Sequence, residues 1–251
     1  MRGFAILFIA LHNYLHLEPF GLVQENEMKF DPANAQLFFC HLSHPSFSVI
    51  GDIFSFIGWC GVPLFVYLSG YGLVMKYESR DYVINRTSYV KHSYLKLLLL
   101  LLPAAIFFII YRFSTEDVAV AARQLFTLTL LNNLANGFIG SFPSLAPTYW
   151  YFGLTFQLYV IYLICHRVRS CRILCLIAAL FLFLQLFLSP DLYSLPKLLS
   201  YIRHNSFGWI TFFICGMLVA RKCLAKKDCN KMRQLPHWSK MGGGFRFVSC
   251  L

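Results

Sequence analysis

Two histidines four residues apart, His12 and His16, stand with Asn13 in an apolar stretch that opens with Arg2 and Gly3. Four residues is just over one helical turn, so a helix presents both imidazoles on one face. Neutral imidazole takes a proton from a hydroxyl near pH 7, as transfer of an acyl group to an alcohol requires. The same spacing suits a metal ion, but no third ligand and no HExxH pattern accompany it, so no metal centre is expected. A structural hydrogen bond at an interface is the plainer role. Glu18 and Asp52 are the acids near that face able to orient a histidine. Arg2 precedes His12 by ten residues, about 15 Å at helical rise. It is equally suited to anchor a helix end and to grip phosphates through its guanidinium fork.

A second group of residues runs from Gly58 through Trp59, Gly61 and Pro63 to Ser69, Gly70 and Gly72. Small residues let helix backbones approach closely, and Pro63 bends a helix. Ser69 lacks the G-x-S-x-G setting of a hydrolase nucleophile. Cys223 and Cys229 have no matching second pair for zinc, and Asn85-Arg86-Thr87 matches a glycosylation acceptor pattern that falls in a basic loop.

These groups must be positioned by apolar helices. The chain has 251 residues, 58% apolar and only 13% charged, against about 25% charged in an ordinary soluble domain. Apolar blocks at Gly3–Leu17, Ile53–Met75, Leu97–Tyr111, Gln124–Cys165, Ile173–Leu188 and Phe207–Ala220 approach the roughly 20 residues that cross a bilayer. The net charge of +11 sits between the blocks, which points to membrane flanks and away from nucleic acid. With Arg2 inside and Leu125–Phe142 re-entrant, the inside segments hold Arg2, five basic residues between Lys76 and Lys96, three between His166 and Arg172, and eight from Arg221. That is 17 of the 22. The expected fold is all-α, a polytopic transmembrane bundle of five or six full spans plus one re-entrant segment. Residues 1–220 form the membrane domain and 221–251 a basic cytoplasmic tail.

Arg2-Gly3-Phe4-Ala5-Ile6 running to Leu11-His12-Asn13, then Gly61-Val62-Pro63-Leu64-Phe65 to Ser69-Gly70, then Trp150-Tyr151-Phe152 with Gln157-Leu158-Tyr159 resemble three successive signatures of the acyltransferase-3 family. Members are integral membrane O-acyltransferases of about ten helices. The resemblance implies transfer of an acyl group, commonly acetyl, from a cytoplasmic acyl-coenzyme A (acyl-CoA, acetyl-CoA in the simplest case) to a hydroxyl of a surface glycan or lipid-linked sugar. It implies a multi-pass protein of the bacterial inner membrane, embedded in membrane lipid, with no tightly bound cofactor. His12 is then the essential histidine, with His16 the second candidate, and Arg2 its paired arginine. Ser69, Trp150 and Tyr159 lie near the acyl path, and Arg86 and Lys91 stand where the family places donor-binding basic residues.

A transporter or flippase, the rival reading, calls for an internal repeat, which the sequence lacks. A non-catalytic membrane subunit leaves the ordered signatures without a cause. Because the apolar blocks end at Ala220, the chain reads as an incomplete member, poorly stable and with little transfer of its own. Asn132, Asn133 and Gln157 are then expected to face lipid, at a cost of several kcal/mol for each unpaired group.

Overall fold

The computed structural model describes residues 2–17, 32–44, 46–79, 83–115, 118, 125–134, 149–187, 202 and 204–234. The side chains of residues 2, 16, 17, 112 and 227–234 are outside that description. Among the described residues every regular element is helical. Eight α-helices follow in order: α1 Arg2–Leu17, α2 Pro32–Ser43, α3 Val49–Ile57, α4 Gly61–Tyr77, α5 Arg86–Thr115, α6 Trp150–Cys165, α7 Cys171–Phe187 and α8 Ile210–Gln234. Short 3-10 turns occupy Gly58–Cys60, Leu125–Thr129 and Ser206–Gly208. The chain divides into two compact units, Met1–Leu68 and Ser69–Leu251.

In the first unit α1 lies along α3 and the turn after it, and α2 packs on α3. Two glycines permit this approach. A Cβ at Gly58 would sit 2.6 Å from His12 Cβ, and one at Gly61 would sit 2.9 Å from the Ala5 carbonyl oxygen. Aromatic pairs fill the remaining space: Phe8 meets Phe54 edge-on at 5.1 Å, and Phe38 stacks on Phe56 at 4.4 Å.

The second unit is ordered by helical periodicity. Leu97, Leu101 and Ala105, four residues apart on α5, are buried with Leu130 and Tyr149, and α6 adds Phe152, Phe156 and Tyr159 to this core. Asn85 caps α5 by accepting the Ser88 amide at 3.2 Å, so the Asn-Arg-Thr triplet is a helix start here. Along α8, Phe213, Ile214, Met217, Ala220 and Arg221 form the buried stripe. α7 runs antiparallel to it: Thr211 Oγ1 donates to the Ala178 carbonyl at 3.2 Å and Gln185 Nε2 to the Phe207 carbonyl at 2.7 Å. α4 runs parallel to α8, because Gly70 abuts Phe213 and, eight residues further along each helix, Glu78 meets Arg221.

These pairings gather Tyr77, Tyr89, Tyr162, His166, Val168 and Arg221 at one end of the unit. The three basic segments of Lys76–Lys96, His166–Arg172 and the chain from Arg221 therefore leave from that end. At the other end Asn133, Trp150, His204 and Asn205 meet.

The apolar blocks become helices whose outer faces stay uncovered. Val49–Tyr77 and Arg86–Thr115 are long and apolar enough to cross a membrane, and only 28% and 22% of their most apolar windows are buried within the protein. A core helix of a soluble protein is mostly buried. Leu99, Leu100, Phe107 and Ile110 of α5 are each more than 60% exposed, and so are Leu176 and Leu186 of α7. Gly3–Leu15, Trp150–Cys165 and Cys171–Phe187 are shorter apolar helices.

Two expectations change, and a third is only partly described. The described part of Leu125–Phe142 is a 3-10 turn, a tight bend and a helical turn at 132–134, with the remainder outside the described residues. The bend places Leu130 at φ 60, in the left-handed region, and the side chain is held there by complete burial. The last apolar block continues as helix to Gln234, and Arg221, assigned by sequence to the tail, is buried. Asn132, Asn133 and Gln157 are buried too, contrary to the expected exposure to lipid. Gln157 Nε2 donates to Asn205 Oδ1 at 2.8 Å, and Asn133 Nδ2 donates to the His204 carbonyl at 2.6 Å. Asn133 and Gln157 are thus paired inside the unit, while Asn132 Oδ1 is buried without a hydrogen-bond partner among the described residues.

Candidate functional site

His12 is 3% exposed, wedged by the Gly58 contact against α3, with Nδ1 3.3 Å from the Phe54 carbonyl oxygen. A carbonyl only accepts, so Nδ1 is the donor of that bond, and the backbone of α3 helps to orient the ring.

Asp52, completely buried on α3, accepts a 2.9 Å hydrogen bond from Nδ1 of His41 on α2. Glu18, the other acid considered, is outside the described residues, as are the side chains of Arg2 and His16. His41 was missed by sequence reasoning. The signal able to find it was Asp52 itself, an isolated acid in an apolar helical run that needs a partner once buried.

The other expected site residues belong to the second unit. Ser69 is buried, and its neighbour Gly70 is required by the Phe213 carbonyl oxygen that a Cβ would strike. Trp150 opens α6; its carbonyl accepts from Asn133 Nδ2 at 2.5 Å and its ring lies 5.3 Å from that of His204. Tyr159 packs edge-on against Tyr89 at 6.4 Å. Arg86 and Lys91 are exposed in the first turns of α5, open to an anionic ligand.

A charged cluster that sequence reasoning also missed closes the basic end of this unit. Arg221 grips Glu78 with two bonds, Nε to Oε2 at 2.7 Å and Nη2 to Oε1 at 3.0 Å, and Nη1 donates to the Val168 carbonyl at 2.6 Å. His166 Nδ1 stands 3.3 Å from Glu78 Oε1. Burial pushes the Glu78 carboxyl up, but the hydrogen bonds of His166 and Arg221 and their charges outweigh it and hold the group below its ordinary 4.5. This arrangement clamps the C-terminal ends of α4 and α6 to the middle of α8.

No curated protein and no solved structure matches the chain. The family model described as an acyltransferase domain, Acyl_transf_3, matches residues 1–226. That match spans both units, from the helix that holds His12 into α8, and the chain belongs to this membrane-associated acyltransferase family.

Proposed function

We propose that the chain is a multi-pass O-acyltransferase of the cell membrane, moving an acetyl or other acyl group from a cytoplasmic coenzyme A thioester to a hydroxyl of a surface glycan or lipid-linked sugar. The observation that carries this reading is His12, buried on the first helix with its ring oriented by the Nδ1 bond to the Phe54 carbonyl. The hydroxyl proton passes to Nε2 as the oxygen attacks the thioester carbonyl. The carbon–sulfur bond breaks, and the leaving thiolate takes up the proton that His12 holds, which completes the thiol and returns the imidazole to its basic form. Arg2, at the other end of the same helix, and the exposed Arg86 and Lys91 supply positive charge suited to the phosphates of the donor. The clustering of three basic segments at one end of the second unit supports an inward-facing donor side.

The test is thiol release and acyl transfer from labelled acetyl-coenzyme A in membranes that carry the chain, with His12→Ala beside it at equal membrane level. Transfer lost with His12→Ala is the expected result. Transfer unchanged by that substitution would refute the reading.

A further inference from the structure

The α7–α8 pair keeps one register along its length. Thr211 Oγ1 donates to the Ala178 carbonyl, and Arg221, ten residues further along α8, donates through Nη1 to the carbonyl of Val168, ten residues before Ala178. By that register Cys215, four past Thr211, comes level with Cys175, three before Ala178, and the two thiols interact electrostatically. Both are exposed, so two small side chains floor the outer side of the seam. Larger ones border it. Leu176 and Leu180 on α7 are 70% and 54% exposed, and on α8 Phe212, Cys215 and Val219 recur at helical spacing along one exposed stripe.

Both helices change character at the end from which the basic segments leave. The α8 stripe continues as Lys222 and Lys226, both exposed, and the α7 stripe begins at the exposed Arg172, four residues before Leu176. Arg169 is exposed in the turn beside them. Among the described side chains of the second unit Glu78 is the one acid, and Arg221 holds it, so this positive charge has no balance from the chain. An apolar groove that runs into clustered positive charge at a membrane surface matches a molecule with acyl chains and a phosphate head. Free coenzyme A supplies phosphates but no alkyl chain to fill the groove.

We propose that the α7–α8 seam binds one anionic phospholipid of the inner leaflet, its phosphate between Arg172 and Lys222 and one acyl chain along the seam over Cys175 and Cys215. The inference rests on the membrane orientation proposed above and is independent of the transfer chemistry. Bound there, the lipid ties the start of α7 to α8 at the membrane surface, where the guanidinium and the ammonium otherwise repel each other.

The probe is phosphatidylglycerol, added to the full chain in detergent and counted on the intact protein by mass spectrometry, with phosphatidylcholine for comparison. The parent should retain one phosphatidylglycerol per chain in preference to phosphatidylcholine. Arg172→Gln combined with Lys222→Gln should weaken retention by about tenfold or more, as the loss of two basic groups at an anionic surface implies. Lys76→Gln combined with Lys96→Gln removes the same charge from exposed positions of α4 and α5 and should leave retention unchanged. Cys215→Trp fills the seam with every charge kept, and it too should displace the lipid. These substitutions fall on exposed side chains, and thermal unfolding matching that of the parent shows that the fold is kept. Lack of preference for phosphatidylglycerol, equal losses in the two double variants, or full retention by Cys215→Trp would overturn the site. So would release of the lipid by an equal concentration of coenzyme A, which would make the patch part of the donor site.

Discussion

At the scale of single residues, the chemistry rests on how each nitrogen and oxygen is committed. His12 has its Nδ1 hydrogen-bonded to the Phe54 carbonyl, and replacing the ring would remove the base proposed above. His12→Ala should lower transfer by about two to four orders of magnitude, with membrane level unchanged; Arg2→Ala should raise KM for the donor and spare the chemical step. If His16→Ala abolishes transfer and His12→Ala does not, the base is the other histidine. Glu78 makes a prediction of a different kind. Its pKa lies below 4.5 in the folded chain, so its stabilising effect is fully present above 4.5 and is lost as pH falls through the folded value. Thermal unfolding in detergent should show that acid loss in the parent chain. Glu78→Gln should unfold with about 3 kcal/mol less stability at neutral pH, because Arg221 is left buried without its counter-charge, and should lack that acid-dependent step.

At the scale of elements, glycines decide which helices meet. Gly58→Ala puts a methyl group 2.6 Å from His12 Cβ, so α1 must shift away from α3. Transfer should drop by at least about tenfold, as misplacement of a catalytic group by a fraction of an ångström suffices, although every catalytic side chain is retained; assay beside His12→Ala checks this. The helices themselves were legible. Leu97, Leu101 and Ala105 recur at helical spacing; Gly3–Leu17 falls inside α1 and Leu97–Tyr111 inside α5, Ile53–Met75 runs through α3 and α4 with the turn between them, and the blocks at Ile173 and Phe207 largely coincide with α7 and α8. The close approach at Gly58 and Gly61 was legible only as a stretch of small residues, without the partner they admit. His41 and Asp52 are separated by a break between two helices, and Glu78 and Arg221 by most of a bundle, so neither pairing has a periodicity to betray it. Gln157, conspicuous as part of a signature, turned out to secure Asn205 and the amide of Ser206.

At the scale of the whole molecule, the packing of the second unit and the distribution of basic residues agree with the proposed orientation. The pairings of α4 with α8 and of α6 with both put the Lys76–Lys96 and His166–Arg172 segments at the same end as Arg221, the grouping that the distribution of basic residues demands of an inward face. A cysteine introduced at Ser170, in a background without others, should therefore resist a membrane-impermeant reagent applied from outside, and one at Asn26 should react. Labelling of Ser170 from outside would make Leu125–Phe142 a full span. The same clamp also has a history in the life of each molecule. Glu78 and Arg221 are 143 residues apart, which at a synthesis rate of about 5 to 20 residues per second is about 7 to 30 s of translation. For that interval the Glu78 carboxylate, at the end of α4, awaits a counter-charge that has not yet been synthesised, and the clamp can form only once α8 is made.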